Sequence, residues 1–95
     1  MGALAVVPTR AAHDVNLRRR DLRLLITLSS FANKEGICWP GTHTLCEQAG
    51  MARETVSRGL HALADRGYIT IKTERETSRG KTRSYNLYQI VYQKE

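Results

Sequence analysis

The chain has 95 residues, with 15 Lys and Arg against 9 Asp and Glu, a formal net charge of +6 and a pI near 9.8. That length admits one domain with one modest core. The 41% hydrophobic content is ordinary for a globular protein, and no apolar run approaches the roughly 20 residues that a membrane-spanning helix needs. The excess of base, mostly arginine, points to a polyanionic partner. Nucleic acid is the commonest, with a membrane surface or an acidic protein left open by composition alone.

Residues 1–16 form a leader with Pro8 and no clear period, readable as an arm, a packed extension or a partly disordered segment. Met1 to Val7 is apolar, but no positive charge precedes it and it is too short for a secretory signal, so no targeting segment is expected. From about Leu17 to Asn33 the pattern is helical: Leu22, Leu25, Ile26, Ser29 and Ala32 share one face, widened by Leu24, Leu28 and Phe31. This is the expected scaffold helix, ended by Asn33-Lys34-Glu35-Gly36, with Gly36 able to take the left-handed conformation. Ile37-Cys38-Trp39 is a brief edge strand stopped by Pro40. Thr42 is then the expected N-cap of a helix that carries Glu47 and Gln48 and ends at Gly50.

The next helix spans about Arg53 to Arg66. Val56, Leu60, Leu63 and Ala64 fall at i, i+4, i+7 and i+8 and make its buried stripe, and Gly67 closes it. Tyr68 to Thr73 alternates like a strand, with Ile69 and Ile71 on one face. Glu74 to Thr82 reads as a polar, basic loop, and Arg83 to Tyr92 as a second strand. Either Tyr85 and Leu87 or Tyr88 and Ile90 point inward, and a bulge allows parts of both. The order helix, short strand, helix, turn, helix, strand, wing, strand is that of an α+β winged helix-turn-helix: a three-helix core with a C-terminal hairpin and a short third strand, over residues 17–92.

Several groups of residues resemble one winged helix-turn-helix family. They are Leu24-Leu25, Leu28 and Phe31-Ala32-Asn33; Gly36 and Cys38-Trp39-Pro40; Thr44-Leu45-Cys46-Glu47; Gly50-Met51-Ala52-Arg53-Glu54-Thr55-Val56-Ser57-Arg58; and Leu63 with Gly67-Tyr68-Ile69. Members of that family are the DNA-binding part of phage and plasmid replication initiators and small regulators on bacterial mobile elements. The resemblance covers about Val7 to Ile90 and implies DNA binding. One position departs from the pattern. The family often has Ser or Thr just before the recognition helix, where this chain has Ala52, which cannot cap through its side chain. Either a backbone group caps the helix or Thr55 takes over the phosphate contact.

The exposed face of the Arg53 helix carries Arg53, Glu54, Ser57, Arg58 and His61, at i, i+1, i+4, i+5 and i+8, with Thr55 beside it. Arg58 is the first candidate for a bidentate guanine contact; Arg53 reads a base or holds a phosphate; Glu54 accepts from cytosine or pairs with Arg58. The wing carries Lys72, Arg75, Arg79, Lys81 and Arg83 against Glu74 and Glu76, a net +3, and is expected to touch phosphate or enter the minor groove. Arg18, Arg19 and Arg20 oppose the dipole of their own helix, so they are candidate phosphate contacts or a solvated face, and Thr42 and His43 are further phosphate candidates.

Cys38, His43 and Cys46 lack a convincing fourth ligand nearby, and Cys46 fits the core, so no metal or cofactor is expected. No glycine-rich phosphate loop, nucleophile elbow or carboxylate pair beside a histidine supports catalysis. The expectation is a cytoplasmic, nucleoid-associated homodimer that binds double-stranded DNA and regulates transcription on a mobile element or phage. A chain ending at Glu95, with no long second domain, is expected to be a regulator or accessory factor. The alternatives are a plasmid or phage replication or partition factor binding origin repeats, and a protein-interaction winged helix without DNA binding.

Overall fold

The computed structural model describes residues 5–92. Residues 1–4, the start of the expected untargeted leader, and residues 93–95 lie outside the described residues. Along the chain run α1 (Thr9–Ala12), α2 (Arg19–Phe31), β1 (Ile37–Cys38), α3 (Thr42–Ala49), α4 (Arg53–Asp65), β2 (Ile69–Ser78) and β3 (Lys81–Ile90). The three strands form one antiparallel sheet in the order β1-β3-β2. Helices α2, α3 and α4 pack together, α2 and α4 meet the sheet, and the hairpin projects beyond them. This is the winged helix-turn-helix architecture.

The core is built on α2, where Leu24, Leu25 and Leu28 are fully buried, against Leu45 and Ala49 of α3, Val56, Leu60 and Leu63 of α4, and Ile69, Tyr88 and Ile90 of the sheet. Burying each such aliphatic side chain contributes about 1.5–3 kcal/mol. The phase of α2 differs from the sequence expectation. Its buried face runs through Asp21, Leu24, Leu25, Leu28 and Ser29, whereas Leu22 is half-buried and Ile26 is 45% exposed. The apolar residues of α2 cover a broad arc from Phe31 round to Ile26, opposite Arg19, Arg20, Arg23 and Thr27, too broad for periodicity to fix the buried side, and here the neighbour settles it: α4 crosses α2 at Gly59, whose missing side chain admits Leu24 Cδ2 and Asp21 Oδ1.

Helix α2 also stops earlier than expected, at Phe31 with Ala32 as an extended C-cap. Gly36 does have positive φ, at 77°, but it ends a separate turn. There the Asn33 side-chain oxygen accepts hydrogen bonds from the backbone N–H groups of Glu35 and Ile37, at 3.0 and 3.1 Å.

The hairpin differs most from expectation. Glu74 to Thr82 is not a loop: β2 and β3 pair continuously from Ile69↔Ile90 to Ser78↔Lys81 without a bulge. Only Arg79 and Gly80, with φ of 51° and 76°, make the tip. Two positive-φ residues in a two-residue connection match the twist of an antiparallel ribbon. Tyr88 and Ile90 point into the core, and Tyr85 and Leu87 lie half-buried on the opposite face. Beyond the core both faces of the ribbon meet water, so hydrophobic alternation stops although the strands go on.

The described part of the leader, residues 5–16, is docked on the domain. The Arg10 guanidinium lies 4.2 Å over the Tyr68 ring, and its Nη2 donates to the carbonyls of Gly67 and Val91 at 2.9 and 3.0 Å. Asp14 accepts from Arg66 at 3.0 Å and from the Tyr68 hydroxyl at 2.8 Å. These contacts clamp the junction between α4 and β2.

Candidate nucleic-acid interface

Helix α3 ends at Gly50, which takes the left-handed conformation at φ 66° and ψ 39°. An L side chain there is strained, so this glycine makes the turn tight. Met51 N–H then donates back to the Cys46 carbonyl at 3.1 Å, and Ala52 enters α4 in an extended conformation. Neither α3 nor α4 has a side-chain N-cap. Gly41 rather than Thr42 occupies the cap position of α3, and Thr42 is its first helical residue; Ala52 occupies that of α4. The first-turn N–H groups of both helices are therefore left for other partners.

On α4 the buried side is Val56, Gly59, Leu60 and Leu63, with Ala64 half-buried. Arg53, Glu54, Ser57, Arg58 and His61 are all exposed on the other side. Glu54 and Arg58 form no ion pair among the described residues; the pairs are His43 with Glu47, Arg66 with Asp14, and Lys72 with Glu74. His61 Nδ1 lies 2.8 Å from the Ser57 carbonyl of its own helix. Thr55 is half-buried and lies off this face, beside α2.

Two depressions flank α4 and make it a ridge. On the α2 side, a hollow of about 440 Å³ is lined by Arg18, Arg20, Thr55, Arg58 and Arg66 with the carboxylates of Asp21 and Asp65. Arg18 and Arg20 thus stand beside the candidate reading face, while Arg19 is exposed but does not line the hollow. On the wing side, a furrow of about 240 Å³ is lined by Thr42, Arg53, Ser57, His61, Ile71 and Asn86.

Lys72, Arg75, Lys81 and Arg83 sit on the strands of the ribbon, and Arg79 sits at its tip; all are exposed. Thr42 and His43 lie in the first turn of α3 and are exposed. Ile71, expected on one face with Ile69, and Asn86, which the sequence does not mark, join the furrow; fixing the phase of β3 with Tyr88 inward is the signal that places Asn86 there. The contacts that join Arg10, Asp14 and Tyr68 across the domain are not marked in the sequence, because they link residues at least 52 positions apart in the chain.

The two cysteines belong to different environments. Cys38 is buried in the core, where desolvation pushes its thiol up to about 11, so it stays protonated. Cys46 is half-buried on α3, and both are free thiols. Cys38, His43 and Cys46 form no metal-binding cluster among the described residues. No described helix is long and apolar enough to cross a membrane.

Compared with known families, residues 15–69 match the model described as a helix-turn-helix domain. Among curated proteins the chain is similar to Protein YmfN of Escherichia coli (strain K12), with 30% identity over 60 residues. That stretch is 63% of this chain and 13% of the relative, so the chain spans only a small part of the relative's length. No solved structure matches.

Proposed function

The chain belongs to the helix-turn-helix domain family, and on that premise we propose that it binds double-stranded DNA sequence-specifically, without catalysis, as a transcriptional regulator of a bacterial mobile element or phage. The reading rests on one observation: α4 is a ridge whose exposed face holds Arg53, Glu54, Ser57, Arg58 and His61, with basic side chains of α2 on one side and the wing on the other. A helix presented in this way fits the major groove of B-DNA, and its side chains reach base edges. The wing then follows the flanking backbone or minor groove, and Arg18, Arg20, Thr42 and His43 hold phosphates. The role on a mobile element is supported by the family resemblance of the sequence. Action as a homodimer, on inverted half-sites about 34–36 Å apart, and a cytoplasmic location on the nucleoid follow from that role.

Arg58→Ala tests the assignment. Base contacts specify and phosphate contacts position. The variant is expected to lose about 1–3 kcal/mol of discrimination between a selected site and a scrambled duplex while keeping most of its non-specific affinity. Equal weakening on both duplexes, measured by titration at fixed salt, makes Arg58 a phosphate contact and moves base reading elsewhere on α4.

A further inference from the structure

Trp39 is the chain's single tryptophan, and 57% of it is exposed. A large aromatic left in water gives up most of the stabilisation its burial would provide, so its position calls for a partner. Its ring walls a cleft of about 600 Å³. Trp39, Gly41 and Thr42 lie on one side, and Arg83, Tyr85 and Asn86 of the wing on the other. Strand β3 borders this cleft with an open edge: β1 pairs only with its Tyr88 and Gln89, so the backbone from Lys81 to Leu87 has no strand partner on that side.

The chemistry of the walls favours one kind of occupant. Trp39 and Tyr85 offer aromatic surface. Thr42, Arg83 and the free first-turn N–H groups of α3 offer donors. Asn86 accepts from Thr73 Oγ1 at 3.2 Å through its carbonyl oxygen, and its amide, which also donates to the Tyr88 hydroxyl, keeps a further N–H to donate. Glu76 stands opposite Arg83 in the β2–β3 register and offsets part of its charge, so the cleft is suited to a phosphodiester rather than to a dense anion. It is also continuous with the candidate reading surface, because the cleft and the furrow beside α4 share Thr42, Asn86 and Tyr88.

We infer that this cleft seats the sugar–phosphate strand lying between the groove entered by α4 and the groove touched by the wing, with Trp39 and Tyr85 against deoxyribose, Thr42 and Asn86 on one phosphate, and Arg83, on the other face of β3, reaching round the open edge to the next. This inference rests on the DNA-binding reading above. It makes Trp39 a binding residue in its own right rather than a leftover of the β1–α3 connection.

The test uses Trp39 fluorescence of the full chain, which reports this site alone, together with anisotropy of a fluorescein-labelled mixed-sequence duplex at low salt. Bound duplex is expected to shift Trp39 emission and to shield it from acrylamide. Trp39→Ala is expected to weaken binding about fivefold or more, with Trp39→Phe close to wild type and circular dichroism unchanged for both. Arg83→Ala is expected to reduce the salt slope by about 1. If the duplex binds while Trp39 stays equally open to acrylamide and Trp39→Ala binds like wild type, the cleft is not a DNA site, although the DNA-binding reading stands. If the duplex does not bind at all, both readings fall. A concentration-dependent shift of Trp39 emission without DNA gives the cleft to a second copy of the chain and overturns the proposal.

Discussion

Asp14 carries more of the local structure than its place in an unpatterned leader implies. It accepts from two nitrogens of Arg66 and from the Tyr68 hydroxyl. The hydrogen bonds from Arg66, then the one from Tyr68, hold its carboxyl down from the ordinary 3.8 to about 2. A carboxylate with a depressed folded-state pKa contributes stability above its unfolded pKa, and that contribution is lost as pH falls through the folded value. The native fold is therefore expected to lose stability as pH drops from about 3.8 to about 2, and Asp14→Asn is expected to flatten that limb of the profile. Chemical denaturation of both proteins across this range measures the difference; parallel curves would show that Asp14 does not couple protonation to folding. Nothing local in the sequence marks this residue. Apart from the Asn16 N–H two residues on, its side-chain partners are 52 and 54 positions away, and periodicity reads only neighbours. Arg58 and His61, in contrast, were legible at once, because the phase of a single helix with a clean apolar stripe assigns its opposite face.

At the scale of elements, the legible parts were those whose phase is set by their own sequence. The stripe of Val56, Leu60 and Leu63 gave α4 both its bounds and its buried side, and Gly50 gave the turn. Helix α2 is legible as an element but not in phase, since its apolar arc is wider than the face that packs and the crossing with α4 selects the buried part. That crossing yields a definite expectation. A Cβ at Gly59 would stand 2.8 Å from Leu24 Cδ2 and 3.1 Å from Asp21 Oδ1, on a fully buried Leu24. Alanine in a helix interior normally gains about 1 kcal/mol over glycine. Here the clash outweighs it, and Gly59→Ala is expected to destabilise the fold by about 1–3 kcal/mol. Urea denaturation decides the sign; a stabilised variant would mean that α2 and α4 separate easily. The wing is longer than its sequence pattern indicates, because a ribbon with water on both faces has no apolar period to read. Its cross-strand pairing and Arg79-Gly80 tip hold it out from the core instead. Arg79→Ala combined with Lys81→Ala is expected to weaken binding to every duplex and to lower the slope of log affinity against log salt by about 2. An unchanged slope removes the wing tip from the interface.

For the whole molecule, shape and charge act together. Strands of ten residues are about 33 Å long, which accounts for much of the 47 Å long axis against 29 and 28 Å for the others. The basic groups form no single patch. They stand along the α2 start, across α4 and out along the ribbon, where Arg75 shares the face of Ile71 and Tyr88 while Lys72, Lys81 and Arg83 lie on the opposite face. The docked leader contributes from behind: Arg10 ties it to the carbonyls of Gly67 and Val91, which flank β2 and β3. Selection of bound duplexes from a random DNA pool, run at two salt concentrations, tests the reading of this surface as a sequence-specific one. The expected result is an enriched inverted repeat that survives the higher salt, as two copies reading half-sites with α4 require. Binding that enriches no sequence and collapses as salt rises would contradict it and leave only a phosphate-binding surface.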